Sequence, residues 1–494
     1  MPEAGASIPA PRSLPPTVVL QVHTPHLGHL MRGVTDAVRH LRPVPDLGAL
    51  VRLAVSQLEP SLDVDGPVTL SLHRDAAGPW HATAIVPARA EVGATSAPDG
   101  EGPSPLRWST RRSRRFTVHV GRLTPTLAVL TDAPTFVEAH AEALRLDAVR
   151  PPAVPMSTPS DAALDGRVTV QGRPPAWGLT RPASAAGEPG DAEGGGTPLS
   201  ALSAWVTRFD EFVLDVGFST EGIDARFRAR AMPGSADAAA LSAAVASVFP
   251  ASAVGAPANA SLWVEADARR ASAGPLKPIA GSLEWLELLE AASPGGAEVG
   301  PGATDVLDPI LDAVERDYVW SVQAGPGSVG PTLFFDIGLD TLPPALVALP
   351  EVYRLGGQPV RRLTGTGPFM PADLHFSRGR LRVAAGGAQR ALLDAIVSGR
   401  LESKPPSQGV TSARGAVLRA SADVGALLRL FGVAVPAARP VAPLTYVVES
   451  GAEGLDVRLR VPFGQLDGLA DLLQRRAPTV LPENGGEWLF PDGI

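Results

Sequence analysis

Apolar residues along the chain switch between two spacings, alternation over short runs and recurrence every three or four positions, and the switch predicts strands and helices. At 223–228 Ile223, Ala225 and Phe227 fall on one face of an extended segment and Asp224, Arg226 and Arg228 on the other. That is the pattern of a half-buried antiparallel strand. An apolar strand at 212–218 precedes it, Glu221-Gly222 supplies a hairpin turn, and an Ala/Leu-rich helix at 236–249 follows. The same succession returns late in the chain. A strand at 444–448, the pair Glu453-Gly454, an alternating strand and a helix at 466–473 repeat it, so that EGIDARFR at 221–228 answers EGLDVRLR at 453–460.

Weaker echoes keep the same order. VVLQV at 18–22 parallels SLWVEA at 261–266, and VTLSLH at 68–73 parallels VWSVQA at 319–324. The strand-turn-helix segment at 127–144 parallels that at 381–399. Self-similarity in a fixed order is the signature of duplication. The predicted fold is therefore α+β, with two tandem homologous units at 17–256 and 257–480. Each is read as a mainly antiparallel sheet with helices packed on one face. Residues 1–16 read as a flexible N-terminal segment and 481–494 as a C-terminal tail. Loops are expected at 91–105, 149–160, 181–198 and 293–304, the third low in complexity and so expected to be mobile.

Composition narrows the function more than it names it. Of the 494 residues 45% are apolar, enough for real cores, and with aromatics at 5% those cores must rest on Leu, Val and Ala. A formal charge of -8 argues against a general nucleic-acid or anionic-membrane binder. The absence of Cys removes disulfides, thiolate metal sites and thiol nucleophiles. No run of 18 or more apolar residues predicts a transmembrane helix, and the first 16 residues do not read as a signal peptide. A cytoplasmic location is expected if Met1 is the native start, and a periplasmic or envelope one if a leader has been removed.

Phosphate-loop, nucleophile-elbow and zinc-protease motifs are absent, and no cofactor is expected. Lys277 and Lys404 both sit beside prolines, in turns unsuited to a desolvated Schiff-base amine. His23, His26 and His29 are the candidate metal ligands, imidazole being a common donor, set against a polar helix start with a histidine cap. Arg107, Trp108, Arg111, Arg112, Arg114 and Arg115 interleave guanidinium with aromatic groups and are the candidates for an anionic partner, set against a solvated loop. The 361–367 segment reads as a surface loop, the Asp63–Gly66 turn lacks the later ligands of a calcium loop, and the carboxylates at 305–315 read as the wet face of a helix spanning 306–317.

The order of strands, helices and hairpins in duplicated halves, with the PGSADAAALSAA segment at 233–244, resembles an uncharacterised group of bacterial proteins known as a domain of unknown function. That resemblance implies an N-terminal export or membrane segment in many members and no catalytic residues. The leading expectation is a non-enzymatic binding or scaffold protein with a protein partner, by strand addition for instance. The alternatives are a carrier of a hydrophobic small molecule such as lipid, and an enzyme using His23, His26, His29 or His140 as base.

Overall fold

The computed structural model describes residues 18–41, 65–74, 79–88, 108–112, 117–124, 126–149, 166–174, 205–245, 260–267, 317–324, 330–364, 371–400, 416–430, 442–451 and 454–467, with isolated positions such as Leu62, Asp63 and Leu276. The expected N-terminal segment and tail, the loops at 91–105, 150–160, 181–198 and 293–304, both lysines and the carboxylates at 305–315 lie outside the described residues. The chain divides into two compact units, 1–242 with 451–458, and 243–450 with 459–494.

The first unit holds β1 (Val18–Thr24), β2 (Val68–Arg74), β3 (Trp80–Pro87), β4 (Trp108–Arg112), β5 (Thr117–Thr124), β6 (Leu127–Thr131), β7 (Gly166–Gly172), β8 (Phe209–Phe218) and β9 (Gly222–Ala231). Their pairings are antiparallel and give the order β4-β5-β6-β3-β2-β1-β7-β8-β9. Residues 454–458, from the last described strand (Gly454–Pro462), belong to this unit, and that strand pairs with β9. Gly454 comes so close to β9 that a Cβ there would meet the Ala229 carbonyl oxygen at 2.7 Å. The two Glu-Gly turns close in the same way, by Ser219 N–H to the Gly222 carbonyl at 3.0 Å and Gly451 N–H to the Gly454 carbonyl at 2.7 Å.

Two long helices cover this sheet on opposite faces, where the pattern predicts one. Helix α1 (Leu27–Leu41) lies on the face of Gly166 and Phe218, its backbone at His29 and Leu30 occupying the space a Gly166 Cβ would need. Helix α2 (Pro134–Val149) packs Phe136 and Val137 against Ile85 and Val129. Register places Ile85 and Val129 on the face opposite Gly166. A strand with small or apolar residues on both faces accepts a helix on either. Helix α3 (Ala236–Val245) starts behind Ser235, whose Oγ accepts the Ala238 N–H at 3.1 Å as an N-cap, and Asp237 in its first turn pairs with Arg208.

The second unit holds β10 (Ala260–Asp267), β11 (Asp317–Ala324), β12 (Pro331–Gly338), the short α4 (Pro344–Val347), β13 (Glu351–Leu355), β14 (Gln358–Leu363), β15 (Ala372–Ser377), β16 (Arg380–Gly386), α5 (Gln389–Val397), β17 (Ala416–Ala422), α6 (Val424–Leu430) and β18 (Leu444–Ser450). Antiparallel pairing gives the order β13-β14-β15-β16-β12-β11-β10-β17-β18. Helix α5 sets Leu392, Leu393 and Ile396 against Phe334, Val360 and Ala384.

Two expectations are corrected here. Arg361, Arg362 and Leu363 are strand, because Gly356 and Gly357 (φ 56° and 79°) turn the chain into a β13–β14 hairpin. Asp317 opens β11 rather than ending a helix.

Candidate functional site

Strand β2 reads Val-Thr-Leu-Ser-Leu-His-Arg, polar and apolar by turns. The usual consequence is polar residues outward. The structure has the reverse. Ser71 and His73 keep 4% and 2% of their surface, while Leu70, just before Ser71, keeps 42%.

The buried polar face continues across the neighbouring strands. His23 Nδ1 and Thr69 Oγ1 stand 2.9 Å apart, Gln21 Nε2 donates to Ser71 Oγ at 3.3 Å, and His73 Nε2 lies 2.9 Å from Thr83 Oγ1. Thr131 Oγ1 donates to the Ala82 carbonyl, Thr169 Oγ1 to Asp215 at 2.6 Å, and Gln171 Nε2 to Glu211 at 2.6 Å. Buried polar groups are tolerated when hydrogen-bonded, and cross-strand partners supply those bonds here. Phe136 of α2 reaches into this face, its ring 4.8 Å from that of His73, 5.1 Å from His81 and 4.4 Å from His140.

Arg228 of β9 belongs to the same interior and Arg226 is partly covered, where alternation alone would turn them to water. Arg228 is buried against Asp215 at 3.4 Å, and burial, then the nearby Arg226 charge, lowers its pKa. Arg226 grips Asp456, which has no exposed surface, through both Nε and an Nη. In the second unit Arg380 bridges Asp317 (2.6 Å) and Asp336 (2.8 Å), and Arg362 binds Asp373 through two nitrogens while Tyr353 Oη donates to it at 2.8 Å. Asp215, Asp336, Asp373 and Asp456 are thus each held by arginine, in the charge-assisted geometry that organises a fold.

The opposite face of the first unit is apolar and half open. Leu70 and Leu72 of β2 lie beside Val22 and Leu20 of β1 and Ala84 and Ala82 of β3. Leu20, Val22, Leu72, Ala82 and Ala84 are all partly exposed. On one side α1 bounds this strip. On the other, Leu62, Val86, Ala88 and Ala128 form a buried cluster to which Ala84 and Leu130 contribute. At the Val68 end α1 starts hard against the 65–66 turn, Leu27 N–H donating to the Gly66 carbonyl at 3.2 Å. At the other end stand Arg74 and its cross-strand partner Trp80, the guanidinium 5.4 Å from the indole centroid and Trp80 43% exposed.

The residues singled out from sequence are placed as follows. His23 turns into the polar face, where burial and then the charge of Arg167 lower its pKa. His26 and His29 remain together at the start of α1, ring centroids 5.1 Å apart. Among the described residues no three His, Asp or Glu side chains gather as metal ligands would. Trp108 Nε1 donates to Glu138 at 2.7 Å, and Arg111 is exposed on β4. Arg112 also lies on β4, whereas Arg107, Arg114 and Arg115 fall outside the described residues. The apolar strip was not among the sequence candidates. Its one trace there is the alternation of β2, which separates two faces without saying which is inside. Among the described residues no helix is long and apolar enough to cross a membrane.

No family model and no curated protein matches the chain. Among solved structures it is similar to crystal forms I and III of TP0453, each at a TM-score of 0.25 and 11% identity over 46% of this chain and 98% of that one. Form IV of TP0453 gives a TM-score of 0.21 at 7% identity over 43% and 76%. Scores of this size carry no argument about what the chain does.

Proposed function

We propose that the protein is a non-enzymatic binding protein built from two copies of one α+β unit, and that its first unit receives an apolar ligand on the strip of Leu20, Val22, Leu70 and Leu72. The observation that carries this is the exposure of Leu70 on the face of β2 opposite the buried Ser71 and His73. A contiguous apolar surface left open on a well-formed sheet marks an interaction site more often than an isolated exposed leucine does. Covering what remains exposed of four such side chains would contribute on the order of 4 kcal/mol. Duplication is supported by the strand orders. Each unit runs from its fourth strand through the outer hairpins to its third, second and first, then onward, with one extra edge strand, β13, in the second. Matching the units by the helix that packs beside the outer hairpin moves the 319–324 echo by one residue. Ser71 then answers Ser321, since a one-residue slip exchanges faces.

The test is binding of a fluorescent apolar probe such as N-phenyl-1-naphthylamine to the full chain and to the Leu70→Asp/Leu72→Asp variant. Probe fluorescence should rise with the wild type and largely vanish with the variant. Equal signals from two folded proteins would overturn the reading.

A further inference from the structure

The strip is not uniform along its length. Leu70, Leu72 and Arg74 follow one another on one face of β2, and Leu70 to Arg74 spans about 13 Å at 3.3 Å per residue. The Val68 end is abutted by the start of α1, where Gly28 lies so close to Asp65 that a Cβ would collide with its carboxylate. The other end presents a guanidinium stacked on an exposed indole. An apolar floor with a cation at one end and helix at the other matches a molecule with the complementary asymmetry. We propose that the strip takes a single-chain amphiphile with an anionic head, its tail along Leu72, Leu70, Leu20 and Val22 and its oxyanion against Arg74. This rests on the binding reading above and names the ligand class for the same surface.

Three features favour this occupant. The guanidinium is a planar donor suited to carboxylate or phosphate oxygens. Trp80 offers an amphipathic ring at the junction of apolar floor and water, where tryptophan is favoured. The strip is bounded on one side by α1 and on the other by the Leu62 cluster, a width suited to one chain rather than a bilayer. The net charge of -8 repels an anionic membrane surface at long range but not a monomeric ligand held by a local cation.

The experiment is calorimetric titration of the full chain with dodecanoate, dodecyl maltoside and dodecyltrimethylammonium, each below its micellar threshold, and with phosphatidylglycerol vesicles. Dodecanoate should bind about tenfold more tightly than the other two surfactants, a difference that Arg74→Gln abolishes. The Trp80→Ala variant should weaken dodecanoate about threefold. Equal affinities for the three surfactants, or an Arg74→Gln variant that keeps the preference, would overturn the head-group assignment while leaving the apolar strip intact. Absence of binding by all three would overturn the binding reading itself. Binding to vesicles without binding to dodecanoate would replace the single-chain ligand with a membrane surface.

Discussion

In the second unit Trp320, Phe335 and Ile337 have no exposed surface, and the polar residues alternating with them, Ser321, Gln323 and Asp336, are buried as well. In the first unit the polar face is equally buried, through Ser71, His73, Thr83 and Thr131, but the apolar face keeps Leu70 open and its neighbours partly so. Both sheets have a polar interior with arginine–carboxylate pairs, and in the first unit cross-strand hydrogen bonds add to them, whereas the Ser321 and Gln323 side chains of the second unit have no hydrogen-bond partner among the described residues. They differ in whether the apolar side is already satisfied. A sheet buried on both faces is committed to its own fold, whereas one open on its apolar face still has free energy to gain by covering it.

The sharpest way to break this comparison is a matched pair of truncations. Phe335→Ala should destabilise the second unit by about 4 kcal/mol, because it removes a fully buried ring. Leu70→Ala should cost less than about 1 kcal/mol, as surface substitutions do. Denaturant unfolding followed on both variants checks this, and similar losses would mean that the strip is core after all. Next in size is Asp456→Ala. It removes the buried carboxylate that Arg226 grips and should cost about 3 kcal/mol, lowering the stability of the first unit even though residue 456 is distant in sequence. Gly454→Ala should cost roughly 2 kcal/mol, since its Cβ would meet backbone, the Ala229 carbonyl, and cannot be relieved by a rotamer change.

Smaller effects come from pH, and they separate the units. All three tyrosines, Tyr318, Tyr353 and Tyr446, lie in the second unit. Burial pushes Tyr446 up to about 12, and burial with the Asp373 hydrogen bond raises Tyr353. An unfolded tyrosine begins to lose its proton near pH 10 while these folded ones keep theirs. The second unit should therefore lose stability as pH rises above about 10, and Tyr446→Phe should reduce the loss. On the acid side His23 in the first unit and His375 in the second both have pKa values lowered chiefly by burial. Each contributes stability that is present above about pH 6.5 and lost as pH falls, because the unfolded chain takes up the proton first. His23→Gln and His375→Gln should each flatten that decline, measured as Tm against pH.

Sequence patterning reached the strand alternation, the hairpins at Gly222 and Gly454 and the antiparallel character of the sheets, since these follow from local period and turn chemistry. It did not reach the direction in which β2 faces. Alternation of Thr69, Ser71 and His73 with Val68, Leu70 and Leu72 is the same string whichever side is covered. The rule that polar residues face water fails where His23, Gln21 and Thr83 arrive from other strands to satisfy them. The outward face that alternation suggests for Arg226 and Arg228 fails for a related reason: Arg228 meets Asp215 across the hairpin, and Arg226 meets Asp456 from a strand distant in sequence, which no local pattern reveals. The His23, His26 and His29 set splits because β1 ends between the first and second, turning His23 into the sheet and the other two onto the helix start.

The assignment of residues 451–458 to the first unit bears on biosynthesis. Segments emerge from the ribosome in order and ordinarily fold as they appear, yet this sheet waits for a strand encoded far downstream of β9. Until residue 456 has left the exit tunnel, the Arg226–Asp456 pair cannot form and the border of β9 stays unpaired at that side, a nascent template open to pairing with other chains. A fragment halted near residue 242 would carry that exposed border permanently.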